Sequence, residues 1–431
     1  MEFPRMLKVR QRFDRPLVED IEGTVRQELE SLSLSSQIKP GETVAVTVGS
    51  RGIANITTII KTIVETLKSH EAVPFIVPAM GSHGGGTAEG QRKIVEGYGL
   101  TEEFLGCEIR SSMETVVVAE TAQGIPVHFD KNAFEADHVL VCNRIKAHTR
   151  FIGEIESGLH KMMLIGLGKH AGAKIYHQAI HNYSFDEIIR AVAEQVLDKC
   201  GIIGGLAIVE NAYDETGLIQ AVSPDEFYEK ESELCRQSKE WLPRLPFSEV
   251  DVLIVDQIGK NISGTGLDTN IVGRKYNDHE AREGDSIRIN RIFVRGLTEE
   301  THGNGTGIGI AEFTNHRTIA QIDRQVTAVN CITGGHPEAA MLPISFETDA
   351  EVLEAACSTV GLKRPEELRL VHISDTLHLS EFLVSEAYFS ELEEIARLEI
   401  VEGPASLLLK SDRNLESVAD QFGSSKFMNE P

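Results

Sequence analysis

Short apolar runs that end in glycine-rich turns and lead into amphipathic segments recur along the first half of the chain. The run Thr43–Val48 predicts a buried strand, and the apolar spacing over 53–67 predicts the helix that follows it. A second run, Val73–Pro78, leads through glycines to a helix over 87–98 with Thr87 as its N-cap. Strand, turn and helix in succession are typical of an α/β fold with a parallel sheet.

Two further apolar runs, at 139–142 and 204–209, extend this half of the chain, and the second of them is expected to close it. Pro243 and Pro246 interrupt any helix, so residues 241–246 are predicted to form a linker. The first half therefore reads as one α/β domain over residues 1–242.

A second α/β unit follows the linker. Its predicted elements are a strand at 250–255, a strand at 287–294, a helix at 319–329 and a strand at Leu370–Ile373. Residues from Ser411 onward are polar, and we expect them to be loosely held. The chain is thus expected to form two α/β domains with largely parallel sheets, residues 1–242 and 248–431, with an active site in the cleft between them.

Composition places the chain among ordinary globular proteins and excludes some classes of binding partner. Its 431 residues are 41% hydrophobic and 25% charged, which is enough for two or three domains. A formal net charge of −24 argues against nucleic acid and anionic membranes as partners. No apolar run approaches the ~20 residues of a membrane helix, and the first residues lack a secretory signal. The six cysteines form no C-x-x-C pair, so we expect reduced thiols and a cytoplasmic location.

One glycine-rich segment gathers histidines around a lysine. The residues are His148, His160, Lys161, His170, His177 and His181. Imidazoles titrate near neutral pH and ligate metals, and an amine can carry a covalent cofactor. A single histidine here would most simply be structural, and Lys161 and Lys169 would most simply be solvated. Five histidines in this segment favour a functional site.

Two more candidate residues lie beyond the carboxyl ends of predicted strands, where ligands bind in parallel sheets. Arg51 follows the first strand and can bind a carboxylate or phosphate, although an exposed arginine is the commoner case. His83 follows the second strand in a GSHGGG turn, where an acid–base role and a solvated turn residue are equally compatible. Neither a dinucleotide-binding nor a P-loop glycine pattern is present.

Together these residues resemble the nickel-pincer lactate racemase family, which comprises 2-hydroxy acid racemases and epimerases. The resemblance implies a nickel–pyridinium mononucleotide bound covalently by Lys161, in SGLHKM. It implies that His177, sixteen residues further on, completes the nickel coordination. It also implies that His83 and His148 act as acid and base on the substrate hydroxyl, and that Arg51 holds substrate and cofactor anions.

The resemblance implies further contacts and also shows departures. Ser50 and Gly168 are expected beside the cofactor, and Gln257 and Lys260 have the spacing of a glutamine–lysine pair that contacts substrate. Val48 stands where racemases usually have an aspartate, and GEIESGLHK replaces a run similar to G-F-S-G-G-x-K. These departures point to a diverged branch that acts on another hydroxy acid or polyol acid.

The implied reaction is racemisation by reversible transfer of the Cα hydride to the pyridinium of the cofactor. Abstraction of the Cα proton beside a carboxylate is difficult, whereas removal of hydride gives a planar ketoacid that accepts hydride on either face. One histidine takes the hydroxyl proton of one enantiomer, and the second histidine takes that of the other enantiomer. The implied partners are a small 2-hydroxy acid and the proteins that make the cofactor, and the oligomeric state stays open. Residues 248–431 are expected to close the cleft over the cofactor site and exclude water.

Two other functions stay open at this point. A zinc- or iron-dependent hydrolase or lyase would use His83, His148 and His177 as ligands and leave Lys161 unmodified, although H-E-x-x-H is absent. A non-catalytic binding protein on a racemase scaffold is slightly favoured by Val48. The presence of all four candidate site residues argues against it.

Overall fold

The computed structural model describes residues 2–50 and 52–421, which divide into two compact units. One unit comprises residues 14–242, and the other comprises residues 2–13 together with 243–421. Residues 2–13 differ from the sequence-based prediction, which places them in the first domain. Their strand, Arg5–Gln11, pairs on both sides with strands from the end of the chain.

The strands of the described residues are β1 (Arg5–Gln11), β2 (Thr43–Val48), β3 (Val73–Pro78), β4 (Thr115–Glu120), β5 (Pro126–Asp130), β6 (His138–Arg144), β7 (Ile202–Glu210), β8 (Thr216–Val222), β9 (Glu249–Val255), β10 (Arg288–Val294), β11 (Phe313–Asn315), β12 (Ile344–Phe346), β13 (Leu370–Ile373), β14 (Glu381–Ser385) and β15 (Leu398–Ser406). The α-helices are α1 (Ile21–Ser31), α2 (Leu34–Gln37), α3 (Ile56–Ser69), α4 (Ala88–Gly97), α5 (Glu102–Leu105), α6 (Lys131–Phe134), α7 (Leu159–Lys161), α8 (Lys169–Ala179), α9 (Phe185–Lys199), α10 (Phe227–Trp241), α11 (His316–Gln321), α12 (Arg324–Thr333), α13 (Asp349–Ser358) and α14 (Phe389–Glu394). A π-helical turn, Met162–Gly166, follows α7.

The unit of residues 14–242 is built on a five-stranded sheet in the order β3-β2-β6-β7-β8. The first four strands run parallel, and β8 pairs antiparallel with β7. Val44 and Val46 of β2 pack into one apolar core and Ala45 into another, so the sheet is covered on both faces, as parallel sheets require. The prediction that the run at 204–209 closes this half of the chain is wrong, because β8 follows it and adds a partly exposed edge strand.

The first two strand–turn–helix units are confirmed. β2 and β3 have the predicted bounds, and α3 buries Ile59, Ile60 and Ile63 on its apolar face. Thr87 caps α4 because its Oγ1 accepts the N–H of Gly90 at 3.1 Å. A mixed α/β fold with largely parallel sheets is thus established for this unit, and the carboxyl ends of β3, β2 and β6 lie side by side at one edge.

The other unit contains an eight-stranded sheet in the order β12-β11-β10-β9-β13-β14-β1-β15. The five strands from β12 to β13 run parallel, and the last three pair antiparallel. The predicted helix over 319–329 is wrong, because the chain forms α11 and α12 with a break between them. Asp323 causes the break, since its carboxylate accepts the N–H groups of Gln325 and Val326 at the start of α12.

The prediction that residues from Ser411 are loosely held is wrong for residues 411–421, and residues 422–431 lie outside the described residues. The N–H of Leu415 donates to Asp349 at 3.1 Å, and the N–H of Val418 donates to Asp256 at 2.8 Å. Arg295 donates to the carbonyl of Leu415 at 2.5 Å. Polar side chains beside the parallel strands thus hold this segment by its backbone. No helix in the described part of the chain has the length and apolar character needed to cross a bilayer.

Candidate active site

Ser50, His83 and His148 follow three neighbouring strands of the first sheet. They come after the carboxyl ends of β2, β3 and β6 respectively, which is where α/β sheets bind ligands. Arg51, predicted between these loops, lies outside the described residues. The adjacency of the strands therefore places three of the predicted residues at one edge.

The loops after β2 and β3 meet through a hydrogen bond between the Ser50 hydroxyl and Nδ1 of His83. His83 is exposed. Gly84, which follows it, has φ +65, and a Cβ there would lie 2.6 Å from the backbone nitrogen of Gln91. The glycine is needed for this close approach of the loop to α4. The loop thus presents His83 at the surface with one ring nitrogen bonded to Ser50.

The His148 ring is oriented by backbone groups. Its Nδ1 accepts the N–H of Arg150 at 3.1 Å and the N–H of Phe151 at 3.0 Å. The backbone N–H of His148 donates to Glu156, whose carboxylate is buried and paired with Lys239. Because Nδ1 acts as an acceptor, the neutral ring carries its proton on Nε2.

Phe151 brings three predicted residues together. Its ring stacks on His148 with 4.1 Å between centroids, and the Lys161 Nζ lies 5.5 Å from its centroid. The His177 ring centroid is 6.3 Å away, and Phe185 stacks on the same ring at 3.9 Å. We call Phe151, His148, Lys161 and His177 the Phe151 cluster. Sequence reasoning missed Phe151, although an aromatic residue between two candidate residues in a glycine-rich stretch was an available signal.

Lys161 and His177 flank an irregular stretch of helix. Lys161 ends α7, the π-helical turn follows, and His177 lies in the last turn of α8. Irregular π turns are frequent at functional sites. Burial lowers the pKa of His177, and the charge of Lys161 lowers it further. His177 is therefore neutral at pH 7, which is the form that ligates metals.

The remaining histidines of the segment have other roles. His160 is buried, and its Nδ1 lies 2.6 Å from Glu231 Oε2, which also accepts its N–H at 2.9 Å. His170 and His181 are exposed on the surface. His160 is thus structural, and its partner was hidden from sequence reasoning because Glu231 lies on α10, 71 residues further along the chain.

Within residues 2–50 and 52–421, no group of three or more His, Cys, Asp or Glu side chains could hold a metal ion. His83, His148 and His177 therefore do not form the three-ligand set that a zinc or iron hydrolase or lyase would need. The six cysteines are free thiols, five of them buried, and none belongs to such a group among these residues.

Residues 8–186, which include the Phe151 cluster, match the family model described as the lactate racemase N-terminal domain. This match identifies a lactate racemase N-terminal domain in the chain. The apoprotein of lactate racemase from Thermoanaerobacterium thermosaccharolyticum shares its fold, with a TM-score of 0.53 and 14% identity over 86% of this chain and 93% of that chain. A protein from Thermotoga maritima also has 14% identity, with a TM-score of 0.48 over 66% of this chain and 72% of that chain. No curated protein matches the chain in sequence.

Two residues suggested by the lactate racemase family have local explanations in the fold. A Cβ on Gly168 would lie 2.2 Å from the carbonyl oxygen of Leu164, so packing alone requires a glycine there. Val48, which replaces the usual aspartate, is buried in an apolar core. The predicted contact of Gly168 with a cofactor stays a prediction.

The glutamine–lysine pair suggested by the same family lies in the other unit, just beyond β9. The Gln257 side chain is exposed, and its N–H donates to the Ser374 carbonyl at 3.0 Å. Lys260 Nζ donates to the Gly264 carbonyl at 2.5 Å and to Asn330 Oδ1 at 2.9 Å. A substrate contact of Gln257 and Lys260 stays a prediction.

Proposed function

We propose that this chain is a racemase or epimerase of a 2-hydroxy acid and works with a nickel-pincer nucleotide attached to Lys161. The lactate racemase N-terminal domain over residues 8–186 supports isomerase chemistry. The Phe151 cluster is the observation that carries the proposal, because one aromatic ring joins an amine, an acid–base imidazole and a candidate metal ligand. The substrate is expected to differ from lactate, since Val48 and the run GEIESGLHK depart from the racemase pattern.

The residues of the cluster fit such a cofactor. Lys161 offers an amine for covalent attachment at the Phe151 ring, and His177 offers a neutral imidazole, a ligand type that suits nickel. Among the described residues, the His177 ring has no hydrogen-bond partner that would compete with a metal. When bound, the cofactor supplies the acceptor for the substrate hydride and the remaining nickel ligands.

The two acid–base histidines start from different states. The neutral His148 ring carries its proton on Nε2, because Nδ1 accepts two backbone N–H groups, and this N–H can donate a hydrogen bond to a substrate oxygen. The Ser50 hydroxyl can accept a hydrogen bond from the Nδ1–H of His83, which leaves Nε2 of His83 as a base. One substrate enantiomer would lose its hydroxyl proton to Nε2 of His83, and the imidazolium so formed would return the proton to the product oxygen. For the other enantiomer His148 would act in the same way, once its ring proton has moved from Nε2 to Nδ1.

Mass spectrometry of the intact protein and its peptides, together with metal analysis, tests the proposal. The protein is co-expressed with the enzymes that make the cofactor, beside a known lactate racemase as a positive control. We expect a nucleotide-sized adduct on the Lys161 peptide and nickel in an equimolar amount. Lys161→Met should lose both, whereas Lys174→Met, which changes an exposed lysine on α8, should keep both. An unmodified Lys161 in cells that load the control racemase contradicts the proposal.

The substrate is then sought with the loaded protein. Single enantiomers of hydroxy acids and polyol acids are incubated with it, and chiral chromatography follows the appearance of the other configuration. His83→Asn and His148→Asn should each abolish conversion while leaving the adduct on Lys161 in place, because neither residue attaches the cofactor in this proposal. A loaded protein that converts no acid in such a panel would favour the non-catalytic binding protein.

A further inference from the structure

Lys169 is a fully buried cation at the junction between the π-helical turn and α8. Its side chain is 0% exposed, and its φ of +52° is left-handed, a conformation that residues with a side chain seldom adopt. Such a conformation persists only where the surrounding structure requires it. Lys161 lies eight residues before Lys169, and His177 lies eight residues after it. The junction therefore sets the relative placement of these two members of the Phe151 cluster.

Three groups surround the ammonium of Lys169. Its Nζ lies 2.9 Å from Asp130 Oδ2 and 3.4 Å from Gln91 Oε1, and it donates to the carbonyl oxygen of Pro78. Asp130 ends β5, Pro78 ends β3 and Gln91 lies on α4. One cation thus ties three separate elements to the junction.

The charges of this pair are costly to bury. Burial raises the pKa of Asp130 and lowers the pKa of Lys169, which are the directions expected when a carboxylate and an ammonium both leave water. A buried ion pair is weak evidence for stability, and a role in specifying one geometry is a hypothesis with better support. The pair therefore calls for an explanation other than the stability of the fold.

Gln91 continues the connection from Lys169 to His83. Its Oε1 faces the ammonium, and its Nε2 donates to the carbonyls of Gly81 at 2.9 Å and His83 at 3.3 Å. Gln91 is 0% exposed, so these are the partners that orient its amide. The loop that carries His83 is thereby connected, through two buried side chains, to the junction between Lys161 and His177.

We propose that Lys169 is a positioning residue that holds the His83 loop and the Lys161–His177 junction in one geometry. The catalytic meaning of that geometry rests on the proposed function, whereas the geometry itself can be measured on the protein without cofactor. The competing explanation is that Lys169 only neutralises Asp130.

A double variant, Lys169→Met with Asp130→Asn, separates the two explanations, because it removes both charges and leaves no unpaired carboxylate. Circular dichroism reports folding. Peptide mass spectrometry gives the rate at which diethyl pyrocarbonate modifies His83 and the rate at which acetic anhydride modifies Lys161. We expect both rates to change about fivefold, the effect of one lost hydrogen bond of ordinary strength. Unchanged rates at both residues would overturn the proposal. His138, bonded to Glu42 at the amino end of β6, is the internal reference.

Gln91→Met provides a milder variant, since it leaves the pair of Lys169 and Asp130 intact. It should change the modification rate of His83 but not that of Lys161, whereas the exposed control Lys174→Met should change neither. A folded Gln91→Met protein in which His83 reacts as before would overturn the proposal. These readouts need neither cofactor nor substrate, so a chain that shows them but never loads Lys161 loses the proposed function alone.

Discussion

The ring of Phe151 stacks on the rings of His148 and Phe185 and lies beneath the amine of Lys161. Aromatic pairs contribute about 0.5–1.5 kcal/mol beyond the area they bury, and an accessible cation–π contact contributes about 0.5–1 kcal/mol. These modest terms connect Phe151 to a neighbour in its own loop, His148, and to two residues further along the chain, Lys161 and Phe185. The main effect of the Phe151 ring is therefore to fix the positions of these side chains relative to one another, and its contribution to the stability of the fold is smaller.

Phe151→Leu tests this placement. The variant should lower the free energy of unfolding by about 1–2 kcal/mol, because it loses two aromatic pairs but keeps an apolar side chain. Lys161 should lose its adduct in protein co-expressed with the cofactor enzymes, since its amine is no longer positioned by contact with the aromatic ring. Urea denaturation and peptide mass spectrometry measure the two effects. Phe104→Leu is the matched control, because this exposed phenylalanine also carries a lysine, with Lys61 Nζ 5.4 Å from its centroid. An equal loss of stability in both variants would contradict the prediction.

The pKa of His177 should rise when the charge at position 161 is removed. Burial and the Lys161 ammonium both lower this pKa, and Lys161→Met eliminates the second cause while leaving the first. Titration of the His177 ring followed by NMR measures the shift. Lys174→Met, exposed on the same helix, should leave the pKa unchanged. Equal values in Lys161→Met and the unchanged protein would mean that the two side chains do not interact. Acylation of Lys161 should act like the substitution, making His177 a more basic ligand.

Among the helices, α10 anchors the start of α7, which carries Lys161. Glu231 is fully buried on α10 and accepts two hydrogen bonds from His160, the residue before Lys161. A Cβ on Gly158, at the start of α7, would lie 2.1 Å from Glu231 Oε1. The carboxylate thus fills the space beside the helix start, and a side chain at 158 would displace it.

Glu231→Gln should lower the free energy of unfolding by about 2 kcal/mol, because an amide replaces a buried carboxylate that accepts two hydrogen bonds. Urea denaturation gives the value. Glu233→Gln, on the exposed side of the same helix, should stay within about 0.5 kcal/mol of the unchanged protein. A Glu231 variant as stable as the Glu233 variant would show that the contact with His160 contributes little.

Local pattern predicted the parallel strands well, since β2, β3, β9 and β13 are continuous apolar runs that differ from the predicted bounds by at most one residue. It did not predict which strands pair. β1 buries Met6, Leu7 and Val9, but its partners lie more than 370 residues further along the chain. The break between α11 and α12 was missed because one N-cap, Asp323, outweighs a continuous helical periodicity.

The candidate site was predicted residue by residue but not as an arrangement. Ser50 and His83 meet, and the Phe151 cluster joins three more predicted residues. Arg51 lies outside the described residues, and the roles of Gly168, Gln257 and Lys260 stay predictions. The tautomer of His148 depends on backbone N–H groups that only a folded loop can aim at its ring. The network around Lys169 joins residues from three elements, and it could not be predicted from the spacing of these residues in the sequence.

At the scale of the whole molecule, protonation of histidines should lower the stability of the fold in weakly acidic solution. Burial lowers the pKa of both His177 and His128, so the unfolded chain, whose histidines titrate near 6.5, binds protons first as the pH falls. The free energy of unfolding should therefore decrease as the pH falls below about 6.5, with no contribution from these groups above it. Thermal unfolding at about pH 7.5 and about pH 5.5 measures the loss. His177→Gln should lose less over this interval, and an equal loss would exclude His177 as a contributor.

The placement of β1 between β14 and β15 has a consequence for synthesis on the ribosome. β1 is translated before any other strand of the described chain, yet Met6 pairs with Ser385 and Arg10 pairs with Glu399. Residues 14–242 have all their strand partners long before then, so this unit can fold while the nascent chain is still growing. The first strand therefore stays unpaired until β14 and β15 have been synthesised. Chaperones that cover emerging chains would therefore have their longest task at the beginning of this protein.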